Sequence, residues 1–360
     1  MASGKTYTIS VTVLSPVHIG SGRNDLMPDI DFVRHADTIW VIDSERMFEL
    51  LPVDVLGKQE IAARITDLLR SEQYAQCARY SLRDPTAGGW TYSIQEHIKD
   101  SFAQAYIPGS SLKGAIRTAM AWRRLDSGAV HVQVGDLRPD SRFADDGVMG
   151  KIFGDTPNLD VMRALHIADT EGVAAAGGLA LEVAAVYSLR ADRLQPKGAD
   201  FRSCVEVLPI GTVLTGSLRR DDYLLQGSGA AHLGLSEDRR AWFFGLLQHC
   251  SAFAEEVIVR EQKFYAQHGL AGVAAFYRSL ADELQARDQR REFLLDLGWG
   301  TGWLTKTVGL ALDPGDLAAI REQYHLGRSD HELFPKTRRL IERANVPELP
   351  LGWVKVRLEA

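Results

Sequence analysis

Cysteine is scarce, and its three copies form no pattern. Cys77, Cys204 and Cys250 are odd in number, far apart and without a C-x-x-C spacing. This excludes a disulfide framework and a cysteine-based zinc site, and it leaves three buried, reduced thiols. None of the ten histidines falls in H-E-x-x-H, and His331-Glu332 has no second histidine behind it. No G-x-S-x-G anchors a serine nucleophile. No apolar run approaches the ~18 residues of a membrane span. Met1 to Thr6 lead into a strand pattern rather than the apolar core of a signal peptide, so a cytoplasmic protein without a membrane partner is expected. Low-complexity tracts and short repeats are absent too.

Positive charge is not in excess either. Lys and Arg total 41 against 47 Asp and Glu, a net charge of -6. That argues against a free-standing nucleic-acid binder with a wide basic surface. It leaves room for one basic groove on an acidic body, because phosphate binding needs only local Lys and Arg. The chain does have core material. Its 360 residues are 45% hydrophobic and 24% charged, ordinary for a globular protein of about two domains.

Residues 5–14 alternate and are β-branched, which predicts a strand. Pro16, Gly20 and Gly22 end it. Residues 30–42 carry strand signals with a turn at Asp37-Thr38, and Asp43-Ser44 caps a helix to about Leu51. Residues 57–79 read as helical, and Asp84–Trp90 as a loop. A second helix starts after Pro108-Gly109-Ser110-Ser111. Strands are expected at 165–168, 179–189 and 205–218, with the polar segment Arg190–Arg202 as domain junction. Helices follow at 236–268, 272–287 and 315–324, and an alternating strand at 352–358. Interspersed strands and helices in both halves predict an α+β fold of two domains, 1–200 and 201–360, rather than one Rossmann sheet.

The sharpest chemical feature is Tyr106–Leu125. Ser110 or Ser111 can cap the helix, and the free N–H groups of its first turn suit a phosphate. Lys113, Arg117 and Arg124, at spacings of four and seven, share one stripe. Leu112, Ile116, Ala119 and Met120 form another that can face a core. No Asp or Glu lies between Tyr106 and Leu125, so the basic stripe is expected to be free of neutralising partners.

In Gly298-Trp-Gly-Thr-Gly-Trp303, glycines at 298, 300 and 302 allow positive φ and close backbone approach. Trp faces can stack on bases at ~1–3 kcal/mol each, and Lys306 adds a cation. Walker A would need Gly at Thr305, and the dinucleotide fingerprint would need Gly at Trp303, so neither ATP nor NAD is expected and no cofactor is assigned. At the end of the first strand, Gly20, Ser21, Gly22 and Arg23 can form a tight loop near a phosphate, and His18 is a candidate general base. Asp25, Asp29 and Asp31 are oxygen ligands that could hold a hard metal, a solvated loop being the commoner explanation. Pro335-Lys-Thr-Arg-Arg-Leu-Ile-Glu-Arg343, with Lys336 and Arg338 as the candidate contacts and with Lys355 and Arg357 on the final strand, makes a second basic concentration, surface charge being the plain alternative.

Three of these segments together resemble the RAMP superfamily of CRISPR proteins. Ser15-Pro-Val-His-Ile-Gly-Ser-Gly22 is similar to its N-terminal motif, and Ile107-Pro-Gly-Ser-Ser-Leu-Lys-Gly-Ala-Ile-Arg-Thr-Ala119 to its central motif. Gly298–Gly302 is similar to its glycine-rich loop. Leu208-Pro-Ile-Gly-Thr-Val, His166-Ile-Ala-Asp-Thr170 and Leu351-Gly-Trp-Val-Lys match in order. Within the superfamily the chain resembles the fifth-subunit family of type III-A (Csm) effector complexes. That resemblance implies two ferredoxin-like (RRM-like) domains with helical insertions. It implies a place capping the 3′ end of the backbone filament, with crRNA as ligand and target RNA reached through the guide. It implies as partners the backbone RAMP subunit and the small helical subunit, and host nucleases recruited for crRNA maturation. Backbone RAMP subunits cut target RNA with an acidic residue in the loop after the first motif. Asp25 lies near that place in a different surrounding sequence, so slicing does not carry over, and His18 matches the processing endonucleases only loosely.

The expectation is a non-catalytic crRNA-binding subunit. Its RNA contacts are His18, Ser21, Gly22, Arg23, Ser110, Ser111, Lys113, Arg117, Arg124, Gly298, Trp299, Gly300, Gly302, Lys306, Lys336 and Arg338. The competing readings are an endoribonuclease working through His18 or Asp25, and an assembly module with mainly protein–protein contacts.

Overall fold

The structure, a computed structural model, describes residues 4–23, 25–51, 58–86, 93–327 and 333–359. Most of the glycine-bearing loop expected at 84–90 and the His331-Glu332 pair lie outside them. The described strands, in chain order, begin with β1 (Lys5–Val13), β2 (Phe32–His35), β3 (Thr38–Ile42), β4 (Ala78–Arg83), β5 (Ile94–Gln95) and β6 (Gln104–Ala105). Next come β7 (Leu165–Ile167), β8 (Val173–Ala174), β9 (Ala180–Arg190), β10 (Arg193–Pro196), β11 (Arg202–Val207) and β12 (Val213–Arg220). The last are β13 (Glu292–Asp296), β14 (Thr337–Arg343), β15 (Val346–Leu349) and β16 (Trp353–Glu359).

Two sheets organise the molecule. The first runs β13-β16-β1-β12-β7 and the second β15-β14-β9-β11-β5, with β10 on β9. β2-β3-β4 form a small third sheet, and β6 pairs with β8. The class is α+β, as expected. Each main sheet draws strands from both sides of residue 200, because β1 lies between β12 and β16, and β9 between β11 and β14.

The helix Gly109–Asp126 buries Leu112, Ile116, Ala119 and Met120, the apolar stripe anticipated from spacing. It packs against the long helix Leu246–Gln267, which in turn covers β13 and the following helix Ala271–Ala286. The helix at Ser44–Glu49 is capped by Asp43, whose carboxylate accepts from Glu45 N at 3.0 Å. Cys77, Cys204 and Cys250 are free and buried. No helix among the described residues is long and apolar enough to cross a membrane.

Several boundaries differ for local reasons. The helix expected over 57–79 ends at Arg70, and β4 follows, its Tyr80 and Leu82 facing inward alternately. Between helix and strand, Glu72–Gln76 forms a 3-10 turn capped by the Ser71 side chain, which ends the α-helix early. The strand expected at 205–218 is two strands, separated by Pro209 and by Gly211 at φ 86. The helical stretch 236–268 breaks at Gly245. The β2–β3 turn sits one residue earlier, at Ala36-Asp37, with His35 opposite Thr38. The polar segment 190–202 is a hairpin rather than a linker. β10 folds back on β9 through Ala191 and Asp192, both at positive φ, and the segment is polar because its tip is exposed.

Gly109 explains how the central helix is seated. A Cβ there would stand 2.1 Å from the Ile167 carbonyl oxygen, so only glycine permits this approach. Gly109→Ala is expected to destabilise the fold by about 1–3 kcal/mol through overpacking. Urea denaturation followed by circular dichroism checks this, and an unchanged midpoint would show that the helix start can shift freely.

Candidate functional site

The chain leaving β1 is threaded between distant segments. Leu14 N and Ser15 N donate to the Trp353 carbonyl, and the buried Ser15 hydroxyl accepts from Trp353 N at 3.0 Å. Val17 and Leu208 exchange backbone hydrogen bonds at 3.1 and 2.8 Å. Gly20 bridges to His97. The segments at 15–22, 208–213 and 351–355, matched separately in the sequence, thus share one seam.

The glycine-rich loop closes on that seam. Gly298, Gly300 and Gly302 have φ of 88°, 84° and 95°. A Cβ on Gly298 would lie 2.4 Å from the His18 carbonyl oxygen, which accepts from Trp299 N at 2.8 Å. The half-buried Trp299 ring stands edge-on to His18, centroids 5.5 Å apart. The Arg339 guanidinium lies 3.9 Å from the Trp299 ring centroid. Arg339 pairs with no carboxylate among the described residues; its polar contact is the Ser203 hydroxyl at 3.5 Å. Burial alone holds its pKa below the usual guanidinium range.

Beneath the loop is a buried polar cluster around Glu206, which is 0% exposed. One carboxylate oxygen accepts from the Tyr80 hydroxyl at 2.7 Å. The other accepts from His97 N at 2.9 Å and Lys99 Nζ at 2.5 Å. Lys99 also meets Glu96 at 3.3 Å. The Glu206 carbonyl lies 2.7 Å from His18 Nδ1, so Nδ1 carries the proton and the imidazole tautomer is set. His97 Nδ1 accepts from Ile19 N at 3.2 Å, leaving Nε2 to donate to the Tyr106 carbonyl at 3.3 Å. Desolvation lowers the pKa of both imidazoles, that of His97 to about 3 with a further push from His18. Burial and the Glu206 charge raise the Tyr80 phenol. His18 is 2% exposed. It supports Trp299 from below and does not face solvent as a general base.

The central helix departs from expectation at its start and along its basic stripe. Its N-cap is Pro108, which has no side-chain acceptor, and neither Ser110 nor Ser111 caps it. Asp169 does so instead, accepting from Gly109 N at 2.8 Å, while the Thr170 hydroxyl accepts from Ile107 N at 3.0 Å. The 166–170 motif therefore occupies the place assigned to a phosphate. The stripe is also neutralised from afar. Arg117 meets Asp160 at 2.7 Å and lies 3.9 Å over Phe153. Arg124 meets Asp238 at 3.0 Å and faces Trp242. Lys113 forms no ion pair among the described residues, and desolvation lowers its pKa.

The remaining candidates divide. Ser21 Oγ accepts from Arg23 N at 3.2 Å, placing an exposed Arg23 beside Gly22 at φ 73. Ser21 N donates to the Glu96 carbonyl, which puts this loop next to the His97 segment. Lys306 is exposed and, with Arg117 and Trp303, lines a cavity of about 420 Å³. The central helix packs on the turn Trp303–Lys306 just after the glycine loop, so the two motifs are neighbours. Trp303 packs on Phe334, centroids 4.9 Å apart. Arg338 is buried, bidentate to Glu261 at 2.7 Å on both bonds, and braced by the Pro335 and Thr337 carbonyls. The Lys336 carbonyl accepts from Leu189 N. Lys355 and Arg357 pair with Glu283 and Glu292. Asp25 accepts from the Ser93 hydroxyl at 2.9 Å and Asp31 from Met27 N at 2.8 Å, while Asp29 has φ 59. Among the described residues, no three His, Cys, Asp or Glu side chains form a metal-ligating group.

Sequence reasoning did not single out Glu206, Tyr80, His97 or Lys99, and it took in Arg339 only as part of the basic stretch 335–343. The first four come together only through tertiary contacts. Arg339 had a signal: strand alternation puts it on the face opposite Arg338 and Leu340, so the doublet splits into one cation locked to Glu261 and one with no carboxylate partner among the described residues.

A sequence profile of the RAMP superfamily matches residues 10–304. The chain belongs to the RAMP superfamily. Over 137 residues it is 26% identical to the CRISPR system Cms protein Csm5 of Streptococcus thermophilus, a match spanning 32% of this chain and 38% of that relative. It superposes with TM-score 0.74 and 28% identity on a chain of the cryo-EM structure of a Csm–crRNA–target RNA ternary complex of a type III-A CRISPR-Cas system. That match covers 98% of this chain and 100% of the other. The crystal structure of T. onnurineus Csm5 matches with TM-score 0.65 at 24% identity, covering 96% and 99%, and supports the fold alone. Within the superfamily this is a Csm5-like protein of the type III-A kind.

The buried imidazoles give this RAMP protein an acid sensitivity. Unfolded histidine binds its proton near pH 6.5, whereas folded His97 does so only near pH 3. Stability is therefore full above about pH 6.5 and falls as pH drops, by about 1.4 kcal/mol per pH unit for each imidazole held neutral. His97→Gln should flatten the fall of melting temperature between pH 7 and pH 5. An identical slope in wild type and variant would remove His97 as its source.

Proposed function

We propose that this chain is the Csm5-type subunit of a type III-A CRISPR (Csm) effector complex and that its glycine-loop seam holds crRNA. In this reading it caps the 3′ end of the backbone filament and supports crRNA maturation. Its partners are the backbone RAMP subunit, the small helical subunit and recruited nucleases, with target RNA reached through the guide. Each main sheet is proposed as the sheet of one ferredoxin-like (RRM-like) unit.

One observation carries the RNA reading: the Arg339 guanidinium lies over the Trp299 ring and meets no carboxylate among the described residues, and His18 backs that ring edge-on. A guanidinium stacked on an aromatic ring suits a base on the stack and a phosphate at the cation. The positive-φ glycines let backbone approach the strand. Arg23, Gly22 and Lys113 extend the contact, and the exposed Lys306 adds a charge near Trp303. Arg117, Arg124 and Arg338 are left out because each already serves a carboxylate. Phosphate contact at a few such points is compatible with a net charge of -6.

Trp299→Ala should weaken binding of a single-stranded RNA by ~1–3 kcal/mol with an unchanged salt slope. Arg339→Ala should make the slope shallower by about 0.7, the value of one phosphate contact on a single strand. Fluorescence anisotropy across a salt series reads both. Wild-type affinity in both variants would reject the site. Incubating labelled RNA with the same proteins, with and without Mg²⁺, tests the endoribonuclease alternative; cleavage by wild type that His18→Ala or Asp25→Ala abolishes would establish it.

A further inference from the structure

A second groove lies at the opposite end of the first sheet. It forms where β1 begins and β16 ends, roughly 27 Å along β1 from the glycine-loop seam at ~3.4 Å per residue. Its volume is about 350 Å³, and none of its lining residues is acidic. Lys5, Arg220, Arg290 and Arg291 line it together with the rings of Tyr7 and Phe244.

The positive charge there is placed against its own interest. Lys5 stands directly opposite Arg220 in the β1–β12 ladder, and like charges in that position are destabilising. Both are held over aromatic rings. Lys5 Nζ lies 4.7 Å from the Tyr7 centroid, and the Arg220 guanidinium 4.8 Å from that of Phe244. Carboxylates stand nearby at Asp222, 2.7 Å from Arg220, and at Asp288, which accepts from Arg290 N at 3.0 Å. Arg290 and Arg291 are exposed and form no ion pair among the described residues. Their position is fixed by backbone, since Arg291 N donates to the Asp288 carbonyl and the Arg291 carbonyl accepts from Leu358 N at 2.8 Å. Exposed cations beside Phe244, which stays 45% exposed although Arg220 lies over it, match a strand that offers both phosphates and flat bases. An acidic peptide would use the cations alone and leave the exposed part of Phe244 uncovered.

We propose that this groove binds a second segment of single-stranded RNA, with Arg290 and Arg291 on its phosphates and Phe244 and Tyr7 against its bases. The inference rests on the proposal that this chain handles RNA, at a site remote from the one described above. The test uses the full-length protein, a 4-thiouridine-labelled RNA oligonucleotide and a poly-glutamate peptide. Photo-crosslinks should map to peptides containing Tyr7 or Phe244 as well as to Trp299. The double substitution Arg290→Ala, Arg291→Ala should remove the groove crosslinks and leave those at Trp299. For the RNA bound there, it should lower affinity about tenfold at 0.15 M salt and make the slope shallower by about 1.4, two single-strand phosphate contacts. Both residues are exposed and hold neighbours by backbone only, so the fold should persist, and circular dichroism checks this. Crosslinks confined to Trp299, unchanged by the double substitution, would overturn the groove and leave the first site standing. Crosslinks confined to the groove would do the reverse. Poly-glutamate binding that depends on Arg290 and Arg291, without RNA crosslinks there, would assign the groove to an acidic protein and reject the proposal.

Discussion

A carboxylate with no exposure to solvent must be matched by donors, and Glu206 draws its donors from separate stretches of chain. Tyr80 comes from β4 and His97 and Lys99 from the segment after β5, while the Glu206 backbone carbonyl accepts from His18 in the turn after β1. Removing one partner of such a buried pair strands a charge, at a cost of about 3–5 kcal/mol. The arrangement therefore has little freedom to drift. It fixes the His18 tautomer and with it the underside of Trp299. The His18 carbonyl then receives Trp299 N, and the glycine at 298 is required because any Cβ would collide with that carbonyl.

Cations in this protein fall into two groups by what their neighbours supply. Arg117, Arg124, Arg338 and Lys99 are paired with acids reached across the fold. Those pairs orient helices and strands and offer nothing further to a ligand. Arg339, Arg23, Arg290 and Arg291 have no acid partner among the described residues, and they lie at the glycine-loop seam and at the opposite groove. An acidic chain thereby keeps its positive potential local, which suits a subunit that contacts a strand at defined points.

The motifs at 15–22, 107–119, 166–170, 208–213, 298–302 and 351–355 were legible as segments, and the structure gives reasons for several pairings among them. The 166–170 segment caps and seats the helix of 107–119, and 298–302 closes over 15–22. The apolar stripe of the central helix and the alternation of β1 and β16 followed directly from period. Two inferences from local composition failed for one reason. The serines after Pro108 looked like caps and the basic stripe looked unopposed, because Asp169, Asp160 and Asp238 are invisible within a window of twenty residues.

What the chain's residue pattern determined alone was local: which stretches alternate, which glycines admit positive φ, and which cysteines lack partners. These depend on steric and periodic rules acting over a few residues. Tertiary structure decided which charges are spent and which remain available, since Coulomb and hydrogen-bond pairing depend on distance in space and not on separation along the chain. For that reason Arg338 and Arg339, adjacent in sequence, have opposite fates: one locked to Glu261 in the interior, the other resting on Trp299 with no carboxylate partner among the described residues.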